Sequence, residues 1–243
     1  MKILKYKKKK DKYIVTFDSE ELELYEEVIL NNGLLLKKEV DDSIIKKLVC
    51  ENNFYECYYK ALKLIKVKPR SVYEVRNKLN KEEFDSNDIE KVINKLLTQG
   101  YLNDEFYANS YLNNKLITTY HGPKRIYNDL NKMKIDHNIL DNVILLYTDD
   151  IQEEKVSKIV DRMIKTNKNK SNNYLKKKIY NNLIMEGFSK KVIDKVVNSK
   201  EFNNDKDIRD KEYEKLKNKL SKKYSGVELE YKIKESMIRK GFY

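Results

Sequence analysis

Apolar residues along this chain fall at spacings of three, four and five, and one combination of them recurs. An aliphatic residue is followed four positions later by another, and five beyond that by an aromatic or aliphatic one. The copies are Val75, Leu79, Phe84; Ile126, Leu130, Ile135; Ile179, Leu183, Phe188; and Ile233, Met237, Phe242. Their offsets are 51, 53 and 54 residues, a period that signals a repeat architecture. Behind the first three copies the columns continue as Ile89, Leu140 and Ile193, then as Val92-Ile93, Val143-Ile144 and Val196-Val197. Spacings of three and four put such side chains on one stripe of a helix.

The punctuation between the columns is that of helix ends. Asp85, Asp136 and Ser189 follow the third anchor, and each can N-cap a helix by accepting a bond from a first-turn N–H. The anchor before the cap and the apolar residue four positions after it then form a hydrophobic staple. Gly187 and Gly241 stand where a left-handed residue would end the preceding helix. Glu83 and Lys134 hold that place in the first two copies and predict a different turn. Ser71 with Glu74, and Ser225 with Glu228, have the spacing of a capping box. A further helix precedes each pair, at 54–67, 104–118, 151–165 and 208–222.

The predicted class is therefore all-α: three-helix repeats at 51–101, 102–148 and 149–203, and a truncated fourth copy at 204–243. Each anchor contributes about 1.5–3 kcal/mol when fully buried, against about 1–2 kcal/mol per residue of backbone ordering. A lone unit is marginal, so the repeats must stack, which predicts an elongated array. Residues 1–50 form an extension of different character. Tyr13 to Phe17 reads as a strand, and with the lysine run at 7–12 it suggests a small β-hairpin with Lys-rich edges. Glu20 to Asn32 reads as an acidic helix ending at Gly33, and Asp42 to Val49 as another. The lysine run is either a solvated turn or a binding arm.

Composition narrows the class. The 243 residues include only 6 Gly and 2 Pro, too few turn formers for a sandwich or barrel. The absence of an 18-residue apolar run predicts no membrane span. The opening residues lack a secretory h-region, so a cytoplasmic protein is expected. Cys50 and Cys57 match neither a CxxC pair nor a disulfide framework. His121 and His137 fit no metal-ligand spacing, His121 reading as a loop or cap residue and His137 as first-turn. No phosphate loop or nucleophile elbow is present. No catalytic residue, metal or cofactor is expected.

Charge supplies the functional lead. Lys and Arg total 51 against 39 acids, a net +12, which favours a polyanionic partner. In the competing reading, the codon bias of an AT-rich genome supplies part of the lysine excess. From Lys165 to Lys200 ten lysines face only Glu186 and Asp194, a net +8, whereas 100–150 has a net −2. Tyr174 and Tyr180 lie within the basic stretch and are candidates for base stacking; in the competing reading Tyr180 faces the core and the lysines are merely solvated. The third repeat is the expected DNA face. Neutralising five to seven phosphates would give a salt slope of about −3.5 to −5 on a single strand.

The block Pro69-Arg70-Ser71-Val72-Tyr73-Glu74-Val75-Arg76-Asn77-Lys78-Leu79 leads through Ile89-Glu90-Lys91-Val92-Ile93 to Gly100-Tyr101-Leu102-Asn103-Asp104. Phe106-Tyr107-Ala108 and Gly122-Pro123-Lys124-Arg125-Ile126, with Leu130, follow at matching intervals. From about residue 50 onward this resembles the RecX family, bacterial regulators of the RecA recombinase, and in its extra C-terminal repeat the longer Gram-positive members. The resemblance implies a curved array of helix-turn-helix-like units. It also implies docking in the groove, or at the growing end, of a RecA–single-stranded DNA filament, limiting recombinase and ATPase activity and damping the DNA-damage response. Its partners would be that filament and DNA, single-stranded or double-stranded, with the protein a monomer. Arg70, Lys124 and Arg125 match the family's basic positions before the middle helix. With Lys168, Lys170, Lys176, Lys177, Lys178, Lys190 and Lys191 they form the expected DNA- and filament-binding set. Asn128-Asp129-Leu130 and Lys134-Ile135 depart from the family pattern of the middle repeat. Two other readings remain: a stand-alone basic helical-repeat DNA-binding protein, and a helical scaffold for an acidic protein.

Overall fold

The computed structural model describes residues 1–202 and 205–242; the repeat boundary expected at 203/204 lies outside them. Three strands open the chain: β1 (Ile3–Lys9), β2 (Lys12–Phe17) and β3 (Glu21–Tyr25), an antiparallel sheet in that order. Then come α1 (Glu26–Asn31), a 3-10 turn at Leu34–Leu36 and the long α2 (Ile44–Val67). The repeats continue as α3 (Val72–Lys81), α4 (Ser86–Thr98), α5 (Asp104–Thr118), α6 (Pro123–Lys132), α7 (His137–Leu145), α8 (Asp149–Thr166), α9 (Asn172–Glu186), α10 (Lys190–Ser199), α11 (Asp205–Leu220) and α12 (Gly226–Arg239).

The recurrent columns are the core. Val75, Leu79, Ile126, Leu130, Ile179, Leu183, Ile233 and Met237 are all buried, as are Ile89, Leu140 and Ile193. The expected caps form: Asp85 accepts from the N–H groups of Asn87 and Asp88, Asp136 from Asn138, and Ser189 from Val192. Ser71 and Glu74 close a reciprocal capping box at 3.1 and 3.2 Å. The box expected at Ser225 and Glu228 does not form. Ser225 is the N-cap without a side-chain bond, and Gly226 beside it has φ +55°, which takes the first turn off the regular path.

Two sequence expectations fail in the extension. The hairpin is a three-stranded sheet, because Glu21 to Tyr25 pairs with β2 from Thr16↔Glu21 to Lys12↔Tyr25 instead of opening a helix. The run Glu-Leu-Glu-Leu alternates: Glu21 and Glu23 are exposed while Leu24 is buried. Period two outweighed the helix propensity of glutamate. The helices expected at 42–49 and 54–67 are one helix, α2. The polar interruption between them holds the sheet side of the core. Asn52 accepts from the Tyr25 N–H at 2.9 Å and donates to the Glu23 carbonyl at 3.2 Å, while Glu51 accepts from Asn31 and Asn32.

The corners hold a third correction. Gly187 and Gly241 are left-handed, as expected, but so are Glu83 (φ +61°) and Lys134 (φ +56°). The turn is the same in all four copies, and the first two make it with side chains that disfavour it by about 1–2 kcal/mol. Geometry is conserved across the repeats where residue type is not.

By compactness the chain forms two units, residues 1–110 with 133–135, and residues 111–132 with 136–243. In the first, one core joins Val15, Phe17 and Leu24 of the sheet to Leu48 and Ala61 of α2 and to the anchors of α3 and α4. Cys57 lies in it, and burial pushes its thiol up to about 12. In the second, the start of each middle helix interlocks with the corner of the next copy. The Gly122 and Lys124 N–H groups donate to the carbonyls of Glu186 and Gly187 at 2.7 and 3.1 Å, and Ser171 N–H to the Lys240 carbonyl at 3.1 Å. A Cβ at Gly122 would fall on the backbone of Gly187 and Phe188, and one at Gly187 would lie 2.5 Å from the Arg125 nitrogen. Among the described residues no helix is long and apolar enough to cross a membrane.

Candidate nucleic-acid interface

Helix α9 is fixed at its start and along one side. Ser171 caps it by accepting from the Tyr174 N–H, the Asn172 N–H donates to Asp205 at 2.7 Å, and Leu175, Ile179 and Leu183 are buried. Its other side carries Tyr174, Lys177, Lys178, Asn181, Asn182 and Met185. With Met163 of α8 they line an open groove of about 510 Å³. The offsets from Tyr174 are 3, 4, 7, 8 and 11, a single helical stripe. The Lys170 ammonium sits 5.0 Å from the centroid of the Tyr174 ring, and Lys178 donates to Asn167 at 3.2 Å. Lys177 and Lys168 are exposed. Lys176 turns away and lies 4.8 Å over the Phe202 ring. The one carboxylate of α9, Glu186, is held by Arg125 at 2.8 Å.

The same stripe is written on α6. Lys124, Arg125 and Asn128 stand 53 residues before Lys177, Lys178 and Asn181, and all three are exposed. On α3 the matching positions are Tyr73, Glu74 and Asn77, and on α12 they are Tyr231, Lys232 and Glu235, so the doubly basic version belongs to the two middle copies. Lysines supply charge for phosphates. Amides supply donors and acceptors for phosphate, sugar or base edges, and an exposed tyrosine offers a stacking face.

Other residues of the expected set are used differently. Lys191 of α10 pairs with Asp149 of α8 at 3.4 Å, and its neighbours Lys195 and Lys200 pair with Glu153 and Asp161 at 2.6 and 2.8 Å. Lys190 is exposed beside them. The net +8 stretch is therefore two surfaces: a lysine row on α10 matched to an acidic row on α8, and an unmatched row on α9. Arg70 is only 13% exposed; it donates to the Leu64 carbonyl at 3.3 Å and meets Glu74 at 3.4 Å, so it covers the end of α2 and backs the capping box. Tyr180 is half-buried and lies off the stripe. Asn181, Asn182 and Met185 escaped sequence reasoning, although the spacing from Tyr174 and the recurrence of Lys-basic-x-x-Asn were there to be read.

The two histidines sit at helix starts. His137 is the first residue of α7 and shares a 3.1 Å bond with the Tyr127 hydroxyl. His121 lies before α6, its carbonyl accepting from the Tyr147 hydroxyl at 3.0 Å, and its buried Nδ1 has no hydrogen-bond partner. Burial, then the positive Arg125 nearby, hold its pKa below the ordinary value. Among the described residues no group of three His, Cys, Asp or Glu could hold a metal ion.

Known proteins resemble this chain in sequence and fold. The sequence profile of the RecX first three-helix domain matches residues 57–96, which span most of α2's second half, α3 and α4. The regulatory protein RecX of Staphylococcus haemolyticus is 30% identical over 186 residues, covering 75% of this chain and 69% of that one. That of Listeria welshimeri is 27% identical over 240 residues, covering 97% and 89%. A crystal structure of regulatory protein RecX superposes with a TM-score of 0.72 at 23% identity, over 82% of this chain and 99% of that chain, which shows the fold to be the same. With a relative 30% identical over three quarters of its length, the chain belongs to the RecX family of regulatory proteins.

Proposed function

We propose that the protein is a non-catalytic regulator of the RecA recombinase that binds the RecA–single-stranded DNA filament, in its groove or at its growing end, and inhibits recombinase and ATPase activity. The observation that carries this is the basic, amide-bearing stripe repeated on α6 and α9, joined by Tyr174 and by Lys168 and Lys170 before α9. In this reading Lys124, Lys177 and Lys178 meet phosphates, Asn128, Asn181 and Asn182 bond sugar or base edges, and Tyr174 stacks. Lys191 and Arg70 act within the fold, and Lys176 and Lys190 stand outside the contact. Membership in a family of regulatory proteins supports a role played by binding.

Titration of the protein into a RecA ATPase and strand-exchange assay tests the proposal. Inhibition is expected, at levels well below RecA if growing ends are capped and near RecA if the groove is coated. A stand-alone DNA-binding protein would bind the strand with similar strength and leave both activities unchanged. A scaffold for an acidic protein would bind its partner regardless of added DNA. Either result would contradict the proposal.

A further inference from the structure

A second surface, in the first compact unit, is built from different chemistry. The end of α2, the linker into α3 and the turn into α5 enclose a cleft of about 560 Å³. Its apolar lining is Ile65, Val67 and Pro69 from the first two, and Tyr101 and Phe106 from the third. Val67 is 80% exposed and Phe106 62%, although both stand on helices whose other faces are buried. Exposed apolar groups gathered at a concavity mark an interaction site. The charged residues of the lining are Lys66, Lys68 and Arg70, with no carboxylate among them. Arg70 is committed to Glu74 and the Leu64 carbonyl, which leaves Lys66 and Lys68, both exposed, as the charges open to a ligand. The nearby Asp104 is occupied in accepting from the Val72 N–H at 2.9 Å.

We infer that this cleft receives an acidic segment of a partner protein carrying one apolar or aromatic anchor side chain, the anchor entering among Val67, Tyr101 and Phe106 and its flanking carboxylates meeting Lys66 and Lys68. Ile65, Val67 and Pro69 favour protein over nucleic acid, because they wall the cleft with aliphatic surface that suits an anchor side chain. Tyr101 and Phe106 could also stack on a base, and binding to the free strand separates the two. A lysine rim around an apolar pocket complements a short acidic stretch with a hydrophobic centre, and such anchors carry most of the energy of an interface. The inference rests on the filament reading above and names the protein side of that contact, as the α6 and α9 stripe names the nucleic-acid side.

The test uses the full chain with Phe106→Ala and, separately, with Lys66→Glu and Lys68→Glu combined. All three positions are exposed, and thermal melts of both variants check that they fold. Anisotropy of a labelled oligonucleotide reports binding to the free strand, and to a RecA filament assembled on the same strand with a non-hydrolysable ATP analogue. Each variant is expected to bind the filament about thirtyfold more weakly, as loss of an interface anchor does. Phe106→Ala should bind the free strand within about twofold of wild type. Equal weakening on the free strand would make the cleft a nucleic-acid site and overturn the inference, as would unchanged filament binding in both variants. If the wild-type chain binds the filament no more tightly than the strand, the filament reading itself fails and takes the named partner with it. Unchanged filament binding in the lysine pair alone would overturn the acidic character of the partner segment.

Discussion

Helices α9 and α10 are adjacent in sequence, similarly rich in lysine and built on the same apolar columns, yet their charges have different fates. On α10, Lys191 meets Asp149, and Lys195 meets Glu153, both on α8. On α9, Lys177 and Lys178 look into an open groove that has no carboxylate in its lining. The difference is made by the acidic row of α8, nearly forty or more residues earlier in the chain. Local charge density is therefore a poor guide to a binding face; what matters is which charges the fold leaves unmatched. A matched surface pair is worth little to stability and contributes little net potential. An unmatched row is free to neutralise phosphates and so release the counterions condensed on the nucleic acid.

Breaking the unmatched row should have the largest effect. Lys177→Glu with Lys178→Glu is expected to weaken single-strand binding roughly a hundredfold at low salt and to flatten the salt slope by about 1.4, at unchanged melting temperature. A salt series on the doubly substituted protein checks both. Gly187→Ala acts on the joint between the start of α6 and the corner after α9, since its carbonyl takes the Lys124 N–H and its φ is +92°. The new Cβ would press on Arg125 backbone, so chemical denaturation should show a loss of about 2–3 kcal/mol. At the corner of the first copy the sign reverses: Glu83→Gly should gain about 1 kcal/mol in the same measurement, because it places a glycine at a left-handed position that glutamate holds under strain.

The matched row predicts the smaller effects. Lys191→Ala or Lys195→Ala should change single-strand affinity less than about threefold and stability by less than about 1 kcal/mol, since each removes one half of an exposed ion pair. The smallest effect is a pH dependence at His121. Its ring is faced by Arg125 and Lys115, which lower its pKa, and by Glu186 and Asp129, which raise it, with burial the largest influence and the net shift downward. Because the folded pKa lies below the unfolded value near 6.5, the unfolded chain takes up the proton first as pH falls. The stability due to the neutral ring is complete above about pH 6.5 and declines below it. Thermal melts from pH 7.5 to 5 should show this decline, and His121→Gln should remove part of it.

Much of the fold was legible because its signals are local. The columns at Val75, Ile126, Ile179 and Ile233, the caps at Asp85, Asp136 and Ser189, and the start and end of α5 at Asp104 and Thr118 all follow from spacings of a few residues. What was not legible depends on distant partners. Glu21 to Tyr25 has helix-forming residues and becomes a strand because β2 needs a neighbour. Glu51 and Asn52 read as a break and are the bonds from α2 to β3 and the loop after α1. The corners at Glu83 and Lys134 concealed a glycine-like turn, because packing in every copy demands it. The candidate site divides in the same way. The basic stretch and Tyr174 were visible, whereas the pairing of α10 with α8, and the withdrawal of Arg70 into the end of α2, required the fold.

The central claim, that α9 and α6 rather than α10 meet the nucleic acid, is tested most directly by a lysine-reactivity footprint. The full chain is acetylated with a water-soluble reagent in the presence and absence of a saturating single strand, and protection at each lysine is read by mass spectrometry. The account predicts strong protection at Lys124, Lys177 and Lys178, with Lys190 and Lys191 as reactive as in the free protein. Protection centred on Lys190 and Lys191, with the α9 groove still open to the reagent, would contradict it.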